Sequence, residues 1–317
     1  MLRDIRGITF SSRWCGQGKY ASDISKLVPI TSFIINKKLK DLEYIGEVRR
    51  GIFPPFSSGW RLNNYLMPLY LKKLSRKNYL HLLSPMEHSN LKGIVTVHDL
   101  YFMNREQFGN YYYYRRLYGK FHDWDIIAVS EKTKEELMEY FGYKEDQITV
   151  IHLAVDDRIF HQERLPINNT VLTVGDGKNK YNKEIHEIIG GTYHHIHVGK
   201  DIQSEYVSIP DNQLNKLYNT SLCSIRFSNI EGFGIPAIES LMSGCPIILK
   251  RQDTFLELLG ENYPLFVDTL NDIPEAIHYA IEHRNEVLNY FEKYKRYYSM
   301  ERFLNEMKLY YKEHVNL

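Results

Sequence analysis

Ser228-Asn-Ile-Glu231-Gly-Phe-Gly-Ile-Pro236-Ala-Ile-Glu239-Ser-Leu-Met-Ser-Gly244-Cys-Pro246 is the stretch of this chain whose local physics is most definite. Pro236 suits the first turn of a helix, where its missing N–H costs nothing, and Ile235, Ile238, Leu241 and Met242 keep helical spacing. Gly244 then ends the helix and Pro246 leads into a strand. This reading puts Glu239 in the first helical turn and Glu231 ahead of a Gly232-Phe233-Gly234 loop whose backbone can approach a ligand closely. Free amides and the positive helix end converge on one spot, which suits a phosphate. Two carboxylates beside an anion site are costly unless a ligand's hydroxyls bond to them. The alternative is that Glu239 only satisfies the helix dipole and Glu231 is a loop charge, and the residues alone leave both readings open.

Working outward, short apolar runs alternate with longer helical patterns, the sequence form of a parallel sheet covered by helices. The runs are Leu80 to Leu83, Gly93 to His98, Asp125 to Val129, Ile148 to His152, Val171 to Val174, His195 to Val198, Leu222 to Phe227 and Pro246 to Leu249. Between them Glu131 to Phe141 reads as a helix, with Thr133 and Glu136 in capping-box spacing. A length of 317 residues, at roughly 150 residues per domain, predicts two domains. The polar stretch Phe160 to Thr170, just before a new apolar run, sets the expected boundary: 1–165 with a C-terminal helix from about residue 297, and 166–296. The last forty residues, rich in Glu, Lys and Tyr, read as one or two surface helices.

Composition narrows the function. Hydrophobic residues make up 43% and charged residues 25%, so the chain is neither disordered nor fibrous. Forty Lys and Arg against thirty-nine Asp and Glu leave a net charge of +1, which gives no global electrostatic case for nucleic acid. Cys15, Cys223 and Cys245 form no Cys-x-x-Cys pair, so neither a disulfide framework nor a structural zinc site is expected. With no apolar run of membrane-spanning length and no signal-peptide core, the expectation is a cytoplasmic protein.

The quoted stretch resembles the retaining, nucleotide-sugar-dependent glycosyltransferases of family 4, which have the GT-B fold: Glu231 and Glu239 match their Glu-x7-Glu signature, with the Gly-Phe-Gly-x-Pro insert intact. Other segments fit that family in order. They are Gly16-Gln-Gly18-Lys-Tyr20, Val95-Thr-Val-His98-Asp99-Leu100, Ala128-Val-Ser130 with Val155-Asp156 and Phe160, Val174-Gly175 with Lys180, and Leu214 with Leu217-Tyr218. The resemblance implies an α/β protein of two Rossmann-like doubly wound domains facing across a cleft, the donor nucleotide on the second and the C-terminal helix crossing back to the first. It implies transfer of a hexose from a UDP-, GDP- or ADP-sugar to a saccharide, lipid-linked or protein acceptor, with no cofactor and no metal.

Residue by residue, the family's pattern assigns Glu239 to the ribose hydroxyls and Glu231 to the transferred sugar. Gly232, Phe233, Gly234 and Ile235 would offer backbone amides, Lys180 would neutralise the leaving diphosphate, and His98 would face the donor sugar. Gly16 and Gly18 would let a strand-to-helix loop close over phosphates or acceptor. The family usually carries an Arg shortly after the Val-Gly pair; here Asp176-Gly177 stand there, with Lys178 as a substitute, and Asp176 would repel a diphosphate. No Asp-x-Asp metal motif occurs in a suitable loop, and Asp156-Asp157 lacks that spacing.

Three features read as structural. His194, His195 and His197 suggest a metal cluster, but only two would share a strand face and no carboxylate completes a set. Tyr111 to Tyr114 with Arg115 and Arg116 read as a packed amphipathic helix before a base-stacking or membrane surface. The basic run Leu71-Lys-Lys-Leu74-Ser-Arg76-Lys77 reads as a solvated face, with peripheral contact to anionic lipid at the inner membrane surface as its alternative. A sugar-nucleotide-binding pseudoenzyme and a sugar-nucleotide epimerase are the rival functions.

Overall fold

The computed structural model describes residues 4–9, 16–34, 46–50, 59–103, 111–176, 180–200 and 206–315. Cys15 and Lys178 lie outside these. The chain divides into two compact units, Met1–His152 with Leu304–Leu317, and Leu153–Phe303.

The first unit is built on a seven-stranded sheet with every described pair parallel. Its strands are β1 (Ile5–Thr9), β2 (Ile30–Ile34), β3 (Glu47–Arg50), β4 (Tyr79–Leu82), β5 (Gly93–Val97), β6 (Asp125–Ala128) and β7 (Ile148–Val150), in the order β3-β2-β1-β4-β5-β6-β7. Parallel neighbours need crossover connections, and these are the helices α1 (Gly16–Ile24), α2 (Gly59–Ser75), α3 (Tyr111–Tyr118) and α4 (Glu131–Phe141). Ile8, Leu80, Leu82, Val95 and Ile126 form the core with Trp124 and Phe121. The apolar runs read from sequence correspond to β4 to β7; β1, β2 and β3 were not expected. Their polar residues interrupt any apolar run, yet Arg6 lies 3.5 Å from both Thr31 Oγ1 on β2 and Glu47 on β3. Those partners come from neighbouring strands and are invisible in a single segment.

α4 begins one turn earlier than its proposed cap: Ser130 is the N-cap, its hydroxyl accepting from the Thr133 amide at 3.1 Å, and Gly142 closes the helix in left-handed conformation (φ 68°). Tyr111 and Leu117 of α3 are buried and Tyr114 stacks on Phe102, so this helix is packed, with Tyr112 left exposed. On α2, Leu71 is buried while Lys72 and Lys73 face solvent. No described helix is long and apolar enough to cross a membrane.

The second unit carries a five-stranded parallel sheet of β8 (Thr170–Val174), β9 (His194–Val198), β10 (Cys223–Arg226), β11 (Ile247–Lys250) and β12 (Phe266–Val267), ordered β12-β11-β10-β8-β9. Its helices are α5 (Asn182–Ile189), α6 (Asp211–Thr220), α7 (Ile235–Met242), α8 (Asp253–Leu259), α9 (Ile273–Glu282) and α10 (Arg284–Lys295); α11 (Met300–His314) follows. The unit starts at Leu153, ahead of the polar stretch chosen from sequence. The reason is local bonding: the His161 and Glu163 amides donate to Asn215 and Asn219 of α6, and the Val155 amide donates to the Tyr298 carbonyl. After the end of α9 the last forty residues hold two helices, α10 and α11, and the stripe Phe303, Met307, Tyr310 and Tyr311 along α11 is buried rather than at the surface.

α11 starts in the second unit, and from Leu304 its residues belong to the first. There the Tyr311 hydroxyl meets His81 Nδ1 at 2.7 Å, His81 Nε2 meets Thr96 Oγ1 at 2.8 Å, and Tyr20 of α1 reaches the same Thr96 oxygen at 2.9 Å. Burial, with a smaller contribution from His98, pushes the His81 imidazole down to about 3, so it stays neutral in the fold. Because the native ring resists protonation and the unfolded ring does not, stability is highest above about pH 6.5 and falls as pH drops toward the folded value. Tyr311→Phe leaves a buried imidazole nitrogen without its partner and is expected to cost about 1–3 kcal/mol in urea unfolding. An unchanged midpoint would show that this hydroxyl does not hold the helix.

Candidate functional site in the second unit

β8 is the first strand of its sheet, β9 lies on one side of it and β10 on the other, so the crossovers diverge between β8 and β10. In open parallel sheets ligands bind beyond the carboxyl ends of the strands at such a point. The residues that follow β8 and β10 are Gly175 to Lys180 and Phe227 to Gly234, the two loops the sequence singled out.

Gly175 has φ +90° and sits where those loops approach each other. A Cβ on it would stand 3.0 Å from Arg226 Nη1 and 3.7 Å from Lys180 Nζ, so two cations meet in the space this glycine leaves open. Arg226, the last residue of β10, donates from Nε to Glu231 Oε1 at 2.6 Å and from Nη1 to the Val174 carbonyl. The paired side chains are 7% and 11% exposed. Burial raises the Glu231 carboxyl, but the charge and hydrogen bond of Arg226, with Lys180 and Ser228, outweigh it and hold the group below its ordinary value. Glu231 is therefore ionised at neutral pH. The carboxylate cost expected from sequence is met largely inside the chain, by Arg226, a cation within the apolar run Leu222 to Phe227.

Asp176, expected to repel a diphosphate, has partners within the chain. Its Oδ1 accepts from the Lys200 amide and lies 3.7 Å from His197 Nε2, toward the end of β9. Lys180 donates to the Asp176 carbonyl just ahead of α5. Of the helical positions that supported its placement, Ile185 and Ile189 are buried and Ile188 faces out. Tyr181, the N-cap of α5, has φ 52°, a conformation costly for a side chain of its size. Asn229 donates to its hydroxyl at 2.7 Å, and its ring meets Phe227 edge-on.

The helix read from the signature is α7, with Pro236 in its first turn and Gly234 as a left-handed N-cap (φ 89°). Glu239 is the fifth helical residue, one turn further in than expected, and is buried (2% exposed). The shift follows from where the helix starts: Gly234 leaves Ile235 as its first residue. The opening amides, from Ile235 onward, have no partners four residues back within the helix, which leaves an anion-seeking end four residues after Glu231, the partner of Arg226. Phe233 is buried against Tyr298.

In the first unit, His98 follows β5, its Nε2 donating to the Leu83 carbonyl at 2.9 Å and its ring edge-on to Tyr20. Burial lowers it to about 4, against the opposing effect of the Leu83 bond, so it is neutral and Nδ1 is an acceptor rather than a positive charge. Asp99 caps the next turn by accepting from the Tyr101 amide. Gly16 and Gly18 are the first and third residues of α1 rather than loop residues. His195 and His197 share the Thr173 hydroxyl, at 2.8 and 2.9 Å, which makes them a polar ladder across β8 and β9.

With this geometry in place, comparison with known proteins is informative. Residues 35–158 match Glycosyltransferase Family 4 and residues 167–297 match Glycosyl transferases group 1, together most of the chain. Sucrose-phosphate synthase from Thermosynechococcus elongatus superposes with a TM-score of 0.76 at 14% identity, over 98% of this chain and 99% of that one. Anabaena HepE in complex with UDP and glucose gives 0.75 at 13% identity, over 99% and 100%. At these identities the likeness establishes the fold. A curated MMP alpha-(1->4)-mannosyltransferase of Mycolicibacterium hassiacum is 20% identical over 168 residues, 43% of this chain and only 39% of that relative's length.

Gly234 offers a direct test of the loop geometry. Beyond its left-handed backbone, a Cβ there would come within 2.6 Å of Phe255 Cε1, a fully buried ring in α8. Gly234→Ala is expected to destabilise the protein by at least about 1–2 kcal/mol, whereas Gly191→Ala, where a Cβ meets nothing within 4 Å, is not. Equal denaturation midpoints for the two variants would refute the described loop.

Proposed function

Because this chain belongs to the family 4-like glycosyltransferases of the GT-B fold, we propose that it moves a sugar from a nucleoside diphosphate sugar to an acceptor with retention of anomeric configuration. The observation that carries the reading is the meeting of Lys180 and Arg226 at Gly175, with Arg226 bonded to an ionised Glu231 three residues ahead of the Gly234 cap of α7. Breaking a sugar–phosphate bond builds negative charge on the diphosphate and positive charge at the anomeric carbon. A fixed cation and helix amides serve the first, an oriented carboxylate the second. The UDP and glucose held by the Anabaena neighbour, and the mannosyl transfer named for the mycobacterial relative, support a nucleotide-sugar donor.

In this proposal Lys180 and the amides of Gly232, Phe233, Gly234 and Ile235 receive the diphosphate, with Lys178 a further candidate. Glu239 bonds the ribose hydroxyls and Glu231 the transferred sugar. His98, neutral, accepts from a sugar hydroxyl. The acceptor attacks from the face the diphosphate leaves, and the departing phosphate oxygen takes the acceptor's proton, so atoms and charge balance without a metal. The test is a screen of UDP-, GDP- and ADP-sugars for thermal stabilisation and for slow donor hydrolysis, read by mass spectrometry. Absence of both for every donor would sink the reading.

Two kinetic outcomes follow. Glu239→Ala should raise the donor KM, because a ribose clamp acts in ground and transition states alike, while Glu231→Gln should mainly lower kcat, because contacts at the reacting sugar tighten as charge develops. Changes in KM alone for both variants would reverse these roles. Activity should survive EDTA; full inhibition rescued by Mg²⁺ or Mn²⁺ would show that protein cations do not suffice.

A further inference from the structure

Arg226 is the charged residue at this crossover to which no role has been assigned. It closes β10, strand neighbour of β8, and its side chain is 7% exposed, a costly location for a guanidinium. A brace holding Glu231 would need one or two of its N–H groups. Among the described residues its acceptors are Glu231 Oε1 and the Val174 carbonyl, which take two of the five N–H donors a guanidinium presents.

Position says more. Arg226 Nη1 and Lys180 Nζ both lie within 4 Å of the point a Cβ on Gly175 would occupy, at the carboxyl ends of the strands where a ligand's phosphates meet an α/β sheet. The residue next to Gly175 in sequence, Asp176, turns its carboxylate to the Lys200 amide and His197. The loop after β8 thus supplies Lys180 but no guanidinium, and β10 delivers one to the same glycine. With Glu231 counted, the three charged groups leave one net positive charge beside the start of α7.

We infer that Arg226 is a donor-binding residue that supplies, beside Lys180, the second positive charge to the diphosphate of the sugar nucleotide while its Nε holds Glu231 in place. This rests on the donor reading above. The planar guanidinium can keep one edge on a carboxylate and offer its remaining donors to phosphate oxygens, which an ammonium cannot do. As the sugar–phosphate bond breaks, the added charge on the diphosphate is met by a group already fixed by β10, the Val174 carbonyl and Glu231.

The experiment is calorimetric titration of the full chain with UDP, GDP and ADP and with the corresponding monophosphates. For the nucleotide that binds the unaltered protein, Arg226→Met is expected to weaken the diphosphate about tenfold or more and leave the monophosphate within about threefold. Should the single variant fail to fold, Arg226→Met/Glu231→Gln is compared with Glu231→Gln, so that the two proteins differ by the guanidinium alone. An unmoved diphosphate affinity, or equal losses for both nucleotides, overturns the inference and leaves the donor reading standing. Failure of the unaltered protein to bind any of the three diphosphates overturns both. A second readout is the acid limb of the transfer rate. The groups facing Glu231 are Arg226, Lys180 and the Ser228 hydroxyl, so removing the guanidinium should move that limb to higher pH, and an unshifted limb contradicts the positioning part.

Discussion

The Arg226–Glu231 pair is the interaction on which the rest of the site depends. A carboxylate 11% exposed at the end of a buried sheet is sustainable only with a cation against it, and at 2.6 Å the guanidinium of the same chain provides one. The pair also ties two segments together, because the guanidinium that holds Glu231 holds the carbonyl at the end of β8 as well. Without it, the loop entering α7 would keep its bonds to Tyr181, Lys250 and Thr254 but lose the link through Arg226 to the end of β8.

Topology gives that pair its place. With β8 between β9 and β10 and the chain crossing first to β9 and then to β10, the two loops that flank the crossover emerge side by side, whatever their sequences. Sequence then decides what they carry. A glycine at φ +90° lets two cations close on the backbone of one loop, and a glycine at φ 89° caps the helix that the other loop enters. The first unit repeats the logic: His98 follows β5, and α1 follows the β1 end, where its order reverses toward β4.

The parts that were legible in sequence are those whose physics is local. A proline and four apolar residues at helical spacing suffice to place α7, and apolar runs mark β4 to β8, β9, β10 and β11 to within a residue or two. Illegible parts depend on partners distant in sequence. β1 to β3 carry Arg6, Thr31 and Glu47, acceptable in a sheet only because each finds the others across strands. Arg226 lies inside the apolar run Leu222 to Phe227 and carries no signal of its own, since its acceptors lie 52 residues before it and 5 after. Asp176 looked repulsive because its true acceptor contacts, the Lys200 amide and His197, belong to the end of β9. Glu239 was placed a turn too early because residue spacing fixes a helix's face and not its first residue.

The central claim is that the crossover between β8 and β10 is where a nucleoside diphosphate sugar is held. Hydrogen–deuterium exchange of the full chain, with and without a saturating donor, tests it most directly. The account predicts that protection gained on binding concentrates in peptides spanning residues 174–182 and 226–240, the two loops and the start of α7. Protection confined to other segments of the second unit, with these two unchanged under saturation, would contradict it.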